Sequence, residues 1–184
     1  MTDRPYHHGN LKSALLDAAV DAIEQSGPAA LSLRDLARRA GVSHAAPAHH
    51  FGDKAGLLTE LAAQGYDLLA DAVRAAGPDL VEAGVAYVRF AVDHRAHFEV
   101  MFQPGLHRPD DPELLAASRR ADRALTEALT ASVPARAAEP EARLAAWSIV
   151  HGFAALWISG ALPRQAGEDP SATARTVVRN LFNA

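Results

Sequence analysis

Apolar side chains recur along this chain at intervals of three and four residues, and prolines or Gly-Pro pairs interrupt the pattern at nearly every junction. The first apolar stripe begins at Leu11 and ends at Gly27-Pro28, and the longest one ends at Gly77-Pro78. No long stretch alternates with period two, and β-branched residues are sparse. Spacings of three and four place apolar groups on one face of a helix, whereas a half-buried strand needs alternation. The sequence therefore predicts an all-α fold.

Later apolar stripes predict a series of helices in the rest of the chain. Their approximate ranges are 79–95, 96–102, 112–132, 140–162 and 170–182. Several begin at a proline, which is tolerated in the first helical turn because the N–H that it lacks has no helical partner there. Gly152 and Gly160 are eight residues apart in the 140–162 range and predict close approach of a second helix on one face.

The composition excludes several classes of protein. The 184 residues include no cysteine, which excludes thiol catalysis, zinc fingers, iron–sulfur clusters and disulfide frameworks. Hydrophobic residues make up 49% of the chain, enough for a core that needs neither disulfides nor a structural metal. No apolar run approaches the roughly 20 residues of a membrane span. We therefore expect a soluble cytoplasmic protein without a membrane partner.

The net charge of −4 and the isoelectric point of about 6.1 argue at first against a nucleic-acid partner. The charge is unevenly distributed, however. Residues 1–54 carry six basic and six acidic side chains, so residues 55–184 carry the whole negative excess. The histidines of the neutral part add latent positive charge; they are His7, His8, His44, His49 and His50. This asymmetry permits DNA binding by an N-terminal domain, predicted as 1–54, on a second domain, predicted as 55–184.

Residues 32–51 read SLRDLARRAGVSHAAPAHHF and predict two short helices joined by a tight turn. Ser32 is a good N-cap for the first helix, and Gly41 suits a left-handed turn after it. Ser43 is predicted to cap the second helix, which would run to about His50. Such a pair forms a helix-turn-helix, whose second helix enters the major groove of DNA. Basic residues near the exposed side of the first helix suit phosphate contact; they are Arg34, Arg38 and Arg39.

This local pattern also fits two helices packed into a core, with serines that only cap and histidines that only lie at the surface. A wider match favours DNA binding. The chain resembles the tetracycline repressor (TetR) family through Gly9-Asn10-Leu11, Gly41-Val42-Ser43 and His50-Phe51-x-x-Lys54-x-x-Leu57, in the same order and spacing. The resemblance covers roughly the first third of the chain and implies a three-helix DNA-binding module.

The resemblance implies roles for individual residues of this module. Ser32 and Ser43 would donate hydrogen bonds to phosphates, Lys54 would hold a phosphate at a helix N-terminus, and Phe51 would be structural. Base edges would be faced by the start of the recognition helix, with His49 near bases or backbone. The full predicted DNA interface comprises Ser32, Arg34, Ser43, His44, Ala45, Ala46, Ala48, His49, His50 and Lys54.

Two residues depart from the family pattern. Ala48 stands where the family usually has a phosphate-binding tyrosine, which predicts weaker anchoring to the DNA backbone. Pro47 replaces the usual leucine at the edge of the predicted first turn, where its missing N–H begins to cost a helical hydrogen bond. Because Ala45 and Ala46 offer no hydrogen-bonding groups, contacts to thymine methyl groups are expected to contribute more to base recognition.

Aromatic residues concentrate in two later segments, around residues 87–102 and 147–157. An aromatic stripe at helical spacing is more often plain core than a ligand site. Histidines among these aromatics favour a ligand pocket, because such pockets are mostly apolar with a few orienting polar groups. The candidate ligand-binding residues are Tyr87, Phe90, His94, Phe98, Met101, Phe102, Trp147 and His151.

The stretch 146–153 resembles the Trp-x-x-x-His-Gly signature of one TetR subgroup, in a likeness that covers about residues 80–184. It leaves open whether Trp147 and His151 bind an effector or belong to the core, with a structural role slightly favoured. The resemblance implies a C-terminal helical bundle for ligand binding and dimerisation, whose last two helices, about Pro140–Leu162 and Pro170–Asn183, pair with their copies. The implied function is a homodimeric repressor on a palindromic double-stranded DNA operator, released by a small-molecule effector of unknown identity. An activator, or a regulator without an effector, stays open.

Other classes of function have less support in the sequence. It contains no GxSxG, GxGxxG, P-loop or HExxH motif, so we predict neither an enzyme nor a bound cofactor. A metal sensor is a second alternative, since His94 and His97 are three apart and are predicted on one helical face. No cysteine or third ligand completes such a site, and no metal is predicted. A structural helical partner protein would require the N-terminal match to be accidental.

Overall fold

The computed structural model of the protein describes residues 8–135, 138–163 and 167–182. His7 and Asn183, named above, lie outside these residues. The described residues form helices and connecting turns, which confirms the all-α prediction. The helices are α1 (His8–Ser26), α2 (Leu33–Arg39), α3 (Ala46–Phe51), α4 (Lys54–Ala75), α5 (Leu80–Asp93), α6 (Arg95–Met101), α7 (Pro112–Ser132), α8 (Pro140–Ile158) and α9 (Pro170–Phe182). A 3₁₀ turn, Pro28–Ala30, follows α1.

Helix α4 is the central element of the fold. It packs most extensively along α7 and also contacts α5 and α6. The leucines of its inner face, including Leu57, Leu58 and Leu61, are almost completely buried. Burial of one such side chain contributes about 1.5–3 kcal/mol, so the spacing that predicts the helix also accounts for its central position. The predicted domain boundary at 54/55 falls in the first turn of this continuous helix and stays a prediction.

The second half of the chain packs around α5. This helix contacts α8 and α9 on one side and α4 on the other. Arg175 of α9 donates two hydrogen bonds to the Glu82 carboxylate of α5, at 2.8 and 2.7 Å. Within the described residues, no helix combines the length and hydropathy needed to cross a bilayer.

The structure corrects the prediction for the glycines of α8. The helix ends at Ile158, and Gly160 lies beyond its C-cap with φ +69°, a left-handed conformation that suits a helix stop. A Cβ built on Gly152 meets no atom within 4 Å. The two glycines therefore do not form a close-packing face within one copy of the chain.

The structure also contradicts the placement of His94 and His97 on one helical face. His94 ends α5 and precedes α6 with φ −123° and ψ 47°, so the helix is interrupted between the two histidines. Their ring centroids are 5.9 Å apart. Among the described residues, no group of three or more His, Asp or Glu side chains is arranged to hold a metal ion.

Candidate nucleic-acid interface and ligand cavity

The turn between α2 and α3 sets the angle of the predicted recognition helix. Gly41 adopts φ +67°, and the Val42 N–H donates to the Ala37 carbonyl at 3.0 Å. Leu36 and Ala37 are fully buried, so the short α2 is held against the rest of the module by its apolar face. The predicted helix-turn-helix arrangement of two helices and a left-handed glycine is therefore present.

Helix α3 begins at Ala46 with Ala45 as its N-cap, two residues later than the predicted N-cap Ser43. Ser43 lies in the preceding turn, where its carbonyl accepts a hydrogen bond from the Ala46 N–H at 3.0 Å. Pro47 consequently lies within the first helical turn and is buried. A missing N–H costs no helical hydrogen bond at that position. The prediction that Pro47 weakens the helix is wrong, because the helix starts late enough to accommodate the proline.

The predicted DNA contacts lie at the surface of the module. Seven are exposed, namely Ser32, Arg34, Ser43, His44, Ala45, Ala48 and His49, and three are half-buried, namely Ala46, His50 and Lys54. Phe51 is 7% exposed and packs in the core, as expected for a structural residue. Ser32 occupies the N-cap position of α2, but its hydroxyl makes no capping hydrogen bond. A capping hydroxyl acts as an acceptor, so its O–H is not needed for capping, and at this exposed position it can donate to a phosphate.

Ion pairs engage two of the three arginines of α2. Asp35 accepts hydrogen bonds from Arg38 at 3.2 Å and from Arg39 at 2.7 Å. Hydrogen bonds from Arg39 and then Arg38 hold the pKa of this carboxyl below its ordinary value. Arg39 also donates to the Gln25 side chain at 3.0 Å. Within the described residues Arg34 has no such partner, which makes it the arginine of α2 most accessible to a DNA phosphate.

Lys54 occupies the first position of α4, where the helix dipole favours a phosphate. Its Nζ donates to the Ala29 carbonyl at 2.8 Å, which directs the side chain toward the 3₁₀ turn. An ammonium group carries three donor hydrogens, so two remain for other acceptors. The geometry supports the predicted phosphate role, which stays a prediction.

A contact that sequence reasoning missed links the C-terminal bundle to the start of α4. Arg108, in the loop between α6 and α7, donates to the Asp53 carboxylate at 3.0 Å, and its backbone N–H donates to the Thr59 hydroxyl at 3.0 Å. Asp53 is the N-cap of α4, and hydrogen bonding from the Gly56 N–H is the largest cause that lowers its pKa, with Arg108 adding to it. The two partners are 55 residues apart in the chain, and no sequence motif connects them.

A cavity of about 450 Å³ lies between α4, α5, α7 and α8, with Phe102 at one wall and Val178 of α9 at another. This volume lies within the range of small-molecule sites. The aromatic residues of the wall are Tyr66, Tyr87, Phe102 and Trp147. Its aliphatic residues include Leu69, Leu80, Leu125, Leu129 and Val150. Asp122 of α7 and Arg143 of α8 form an ion pair, with 2.6 Å between the Arg143 Nη2 and Asp122 Oδ1 atoms.

Three of the eight predicted ligand-binding residues line this cavity: Tyr87, Phe102 and Trp147. The other five do not line it. Phe90, Phe98 and Met101 are buried in the core, His94 lies at the α5–α6 junction, and His151 contacts Tyr87. The aromatic stripe is thus largely core, and the polar wall residues of α7 were missed because that helix has an ordinary amphipathic pattern.

A hydrogen-bonded chain joins Trp147, Tyr87 and His151. The Trp147 indole N–H donates to the Tyr87 hydroxyl oxygen at 3.3 Å, and that hydroxyl lies 3.0 Å from His151 Nδ1. Because the indole can only donate, the phenolic hydrogen is free to point at Nδ1, which places the imidazole hydrogen on Nε2. Burial raises the pKa of Tyr87 and lowers the pKa of His151, so both groups are neutral at neutral pH. Trp147 therefore lines the cavity and holds the Tyr87 hydroxyl, while His151 contacts the same hydroxyl without lining the cavity.

Comparison with known proteins connects both halves of the chain to the same group of regulators. The model of the tetracyclin repressor-like C-terminal domain matches residues 80–181, and that of the bacterial regulatory proteins of the tetR family matches residues 15–61. The HTH-type transcriptional regulator BetI 1 of Chromohalobacter salexigens is 31% identical over 162 residues, 82% of this chain and 79% of that protein.

Solved structures share the whole fold. A protein of unknown function from Rhodococcus sp. RHA1 has a TM-score of 0.78 at 31% identity, with 98% of this chain and 97% of that chain covered. LfrR from Mycobacterium smegmatis, solved in complex with proflavine, has a TM-score of 0.66 at 22% identity, with 95% of each chain covered. The latter likeness concerns the fold alone.

Lowering the pH is expected to destabilise the folded protein through His151. Burial holds its pKa below the ordinary 6.5, so the unfolded chain takes up this proton first as the pH falls. The free energy of unfolding should therefore decrease below about pH 6.5 and be independent of this group at higher pH. His151→Gln, which keeps an acceptor for the Tyr87 hydroxyl, should show a shallower decrease in urea denaturation at a series of pH values. Parallel curves for the two proteins over the whole range would contradict this assignment.

Proposed function

The chain belongs to the TetR family of bacterial transcriptional regulators, and we propose that it is a ligand-responsive repressor that binds a palindromic operator as a homodimer. In this proposal a small molecule in the cavity releases the protein from DNA. The observation that carries it is the continuity of α4. This helix starts with Lys54 beside the DNA-binding module α1–α3, called the reading module below, and lines the cavity with Tyr66 and Leu69. The named relatives are regulators, and we propose no enzymatic activity.

An effector in the cavity has a direct route to the DNA-binding module. Phe102 forms part of the cavity wall and is the first residue of the loop, between α6 and α7, that carries Arg108. Arg108 in turn bonds Asp53 and Thr59 at the start of α4. A ligand that moves Phe102 would shift this loop, and with it the angle between α4 and the reading helix α3. The ligand changes DNA affinity only by its differential affinity for the two arrangements.

Dimerisation through α8 is supported by an uncovered face of this helix. Leu156 is 47% exposed in the single chain, and a Cβ built on Gly152, one helical turn earlier, meets no atom within 4 Å. Leu144 and Trp147 are also exposed but lie on the cavity wall. Uncovered apolar surface on a soluble domain marks an interaction site. A two-fold pair would present two copies of α3 to successive major grooves about 34–36 Å apart, the spacing of half-sites in a palindrome.

Specific operator binding is the first test of this proposal. Fluorescence anisotropy should compare DNA flanking the protein's own gene with scrambled duplex, near physiological salt. We expect binding to the first to be tighter by about a thousandfold. Lys54→Ala should weaken binding to both duplexes and reduce the slope of log affinity against log salt by about one. A loss confined to the operator would contradict the phosphate role of Lys54, and no binding to any promoter DNA would contradict the proposed function.

The Arg108–Asp53 contact is expected to position the reading module without touching DNA. Arg108→Met should weaken operator binding by roughly three- to tenfold while leaving the salt slope unchanged, because no phosphate contact is lost. Arg74→Met, which removes another exposed arginine paired within α4, is the matched control and should bind as wild type. A reduced salt slope for Arg108→Met would show instead that Arg108 contacts a phosphate.

Leu156→Glu is expected to weaken the dimer by about tenfold or more, because it places a charge in a desolvated interface. Sedimentation at a series of concentrations gives the dissociation constant. Leu115→Glu on α7 replaces a leucine that is 39% exposed and serves as the matched control. Equal dissociation constants for wild type and Leu156→Glu would exclude Leu156 from the interface.

A further inference from the structure

We propose that the cavity selects an uncharged ring-containing ligand with a hydrogen-bonding group at the Asp122–Arg143 pair, and discriminates against organic anions and cations of the same size. This inference rests on the proposed function, because it assigns a ligand class to the cavity proposed there as the effector site. It follows from the distribution of charge and of unsatisfied polar groups over the cavity wall.

The charged side chains in the described part of the cavity wall form one ion pair, whose charges cancel. Among the described residues that line the cavity, Asp122 and Arg143 are the ionised ones, and their side chains meet at 2.6 Å. They lie toward solvent, with side chains 61% and 45% exposed. The rest of the described lining is aliphatic, aromatic or uncharged polar. The wall therefore offers no excess of either sign of charge to a ligand.

An ionised ligand would have to disturb that pair. An anion that binds Arg143 approaches the Asp122 carboxylate, and a cation that binds Asp122 approaches the Arg143 guanidinium. Each ion would also lose hydration on entering an apolar space. An amide or hydroxyl group carries both a donor and an acceptor, so it can bond the two side chains while their ion pair persists.

Among the described residues that line the cavity, the two tyrosine hydroxyls have uncharged hydrogen-bonding partners. The Tyr87 hydroxyl is engaged by Trp147 and His151 at 3.3 and 3.0 Å. The Tyr66 hydroxyl is hydrogen-bonded to Ser118. Burial raises the pKa of both tyrosines, so neither becomes an anion that would attract a cation. The ligand body is therefore held by apolar contact rather than by charge.

Aromatic rings that lie close together in the cavity wall suit a ring in the ligand. The Phe102 centroid lies 6.1 Å from that of Tyr66 and 6.2 Å from that of Trp147. The Tyr66 and Phe102 rings already meet edge to face, with an interplanar angle of 73°. Aromatic pairs in such geometries are favourable beyond the apolar area that they bury. A ring in this space can join the same arrangement, and the ion pair lines the same cavity as these rings.

The test uses three probes that share one ring system and differ in charge: 2-naphthamide, 2-naphthoate and (2-naphthylmethyl)ammonium. Calorimetric titration of the full-length protein near neutral pH should give an affinity for the amide about tenfold or more above that of either ion. The two tryptophans report where the probes bind. The indole N–H resonance of Trp147, on the cavity wall, should shift with the amide, and that of Trp157, which does not line the cavity, should not.

Matched variants of the ion pair test its role in selection. Asp122→Asn leaves Arg143 without its anion and should raise the naphthoate affinity about tenfold, while Arg143→Gln should do the same for the ammonium probe. The amide affinity should change by less than about threefold in both. Thermal unfolding checks that these variants, at exposed positions, remain folded.

The outcomes separate this inference from the proposed function. Tighter binding of either ion by the wild-type protein, with a Trp147 shift, would overturn the ligand class and leave the cavity as the effector site. An unchanged order of affinities in both variants would overturn the selecting role of the ion pair. No Trp147 shift with any probe would overturn both the ligand class and the effector role of the cavity, whereas operator binding would still stand on its own measurement.

Discussion

The packing of α6 against α4 at Gly65 is the close approach on which the geometry of the bundle depends. A Cβ at this position would lie 2.5 Å from Met101 Sδ and 3.0 Å from His97 Cβ, so a side chain larger than hydrogen would force the two helices apart. The approach places Phe102, directly after α6, within reach of Tyr66 one residue along α4. The same helix carries Lys54 at its N-terminus. One continuous helix, α4, thus begins beside the helix-turn-helix and contributes to the cavity wall.

Charge is organised differently in the two parts of the molecule. The first 54 residues are neutral and the remainder is acidic. A DNA phosphate that binds Arg38 or Arg39 must compete with the Asp35 carboxylate that already holds them. Such prepaired arginines contribute less net affinity than their number suggests, since one ion pair is exchanged for another. The negative bundle repels DNA and favours an approach in which the reading module faces the duplex.

The polar groups around Tyr87 form one hydrogen-bonded set. Tyr87 is fully buried, yet its hydroxyl has both a donor and an acceptor nearby in Trp147 and His151. Leaving that hydroxyl unpaired would cost about 1–3 kcal/mol. The Trp and His of the sequence signature therefore have a physical reason to be one helical turn apart, because that spacing brings both to the same tyrosine. The cavity wall is largely apolar, and its two tyrosine hydroxyls already have hydrogen-bonding partners.

The sequence by itself determined the all-helical fold, the two short helices around Gly41 and the burial of Phe51, because these depend on periodicity, on turn residues and on a motif whose spacing is local. Its predictions were less accurate where a neighbour in space decides the outcome. Ser43 suits an N-cap, but in the structure it lies in a turn closed by a hydrogen bond from the Ala46 N–H to its carbonyl. Helix α3 starts only at Ala46, and the buried Pro47 lies in its first turn. The sequence predicted a helix boundary between residues 95 and 96, but only the structure showed that it falls at His94 and so separates His94 from His97.

Only the tertiary structure decided which aromatic residues face the cavity and which fill the core. Phe98 and Phe102 are four residues apart and similar in pattern, but Phe102 follows the end of α6 and lines the space that Phe98 does not reach. The Asp122–Arg143 and Arg108–Asp53 pairs join segments 21 and 55 residues apart. Such pairs depend on how helices cross, and crossing is set by the summed packing of many apolar contacts rather than by any motif in the chain.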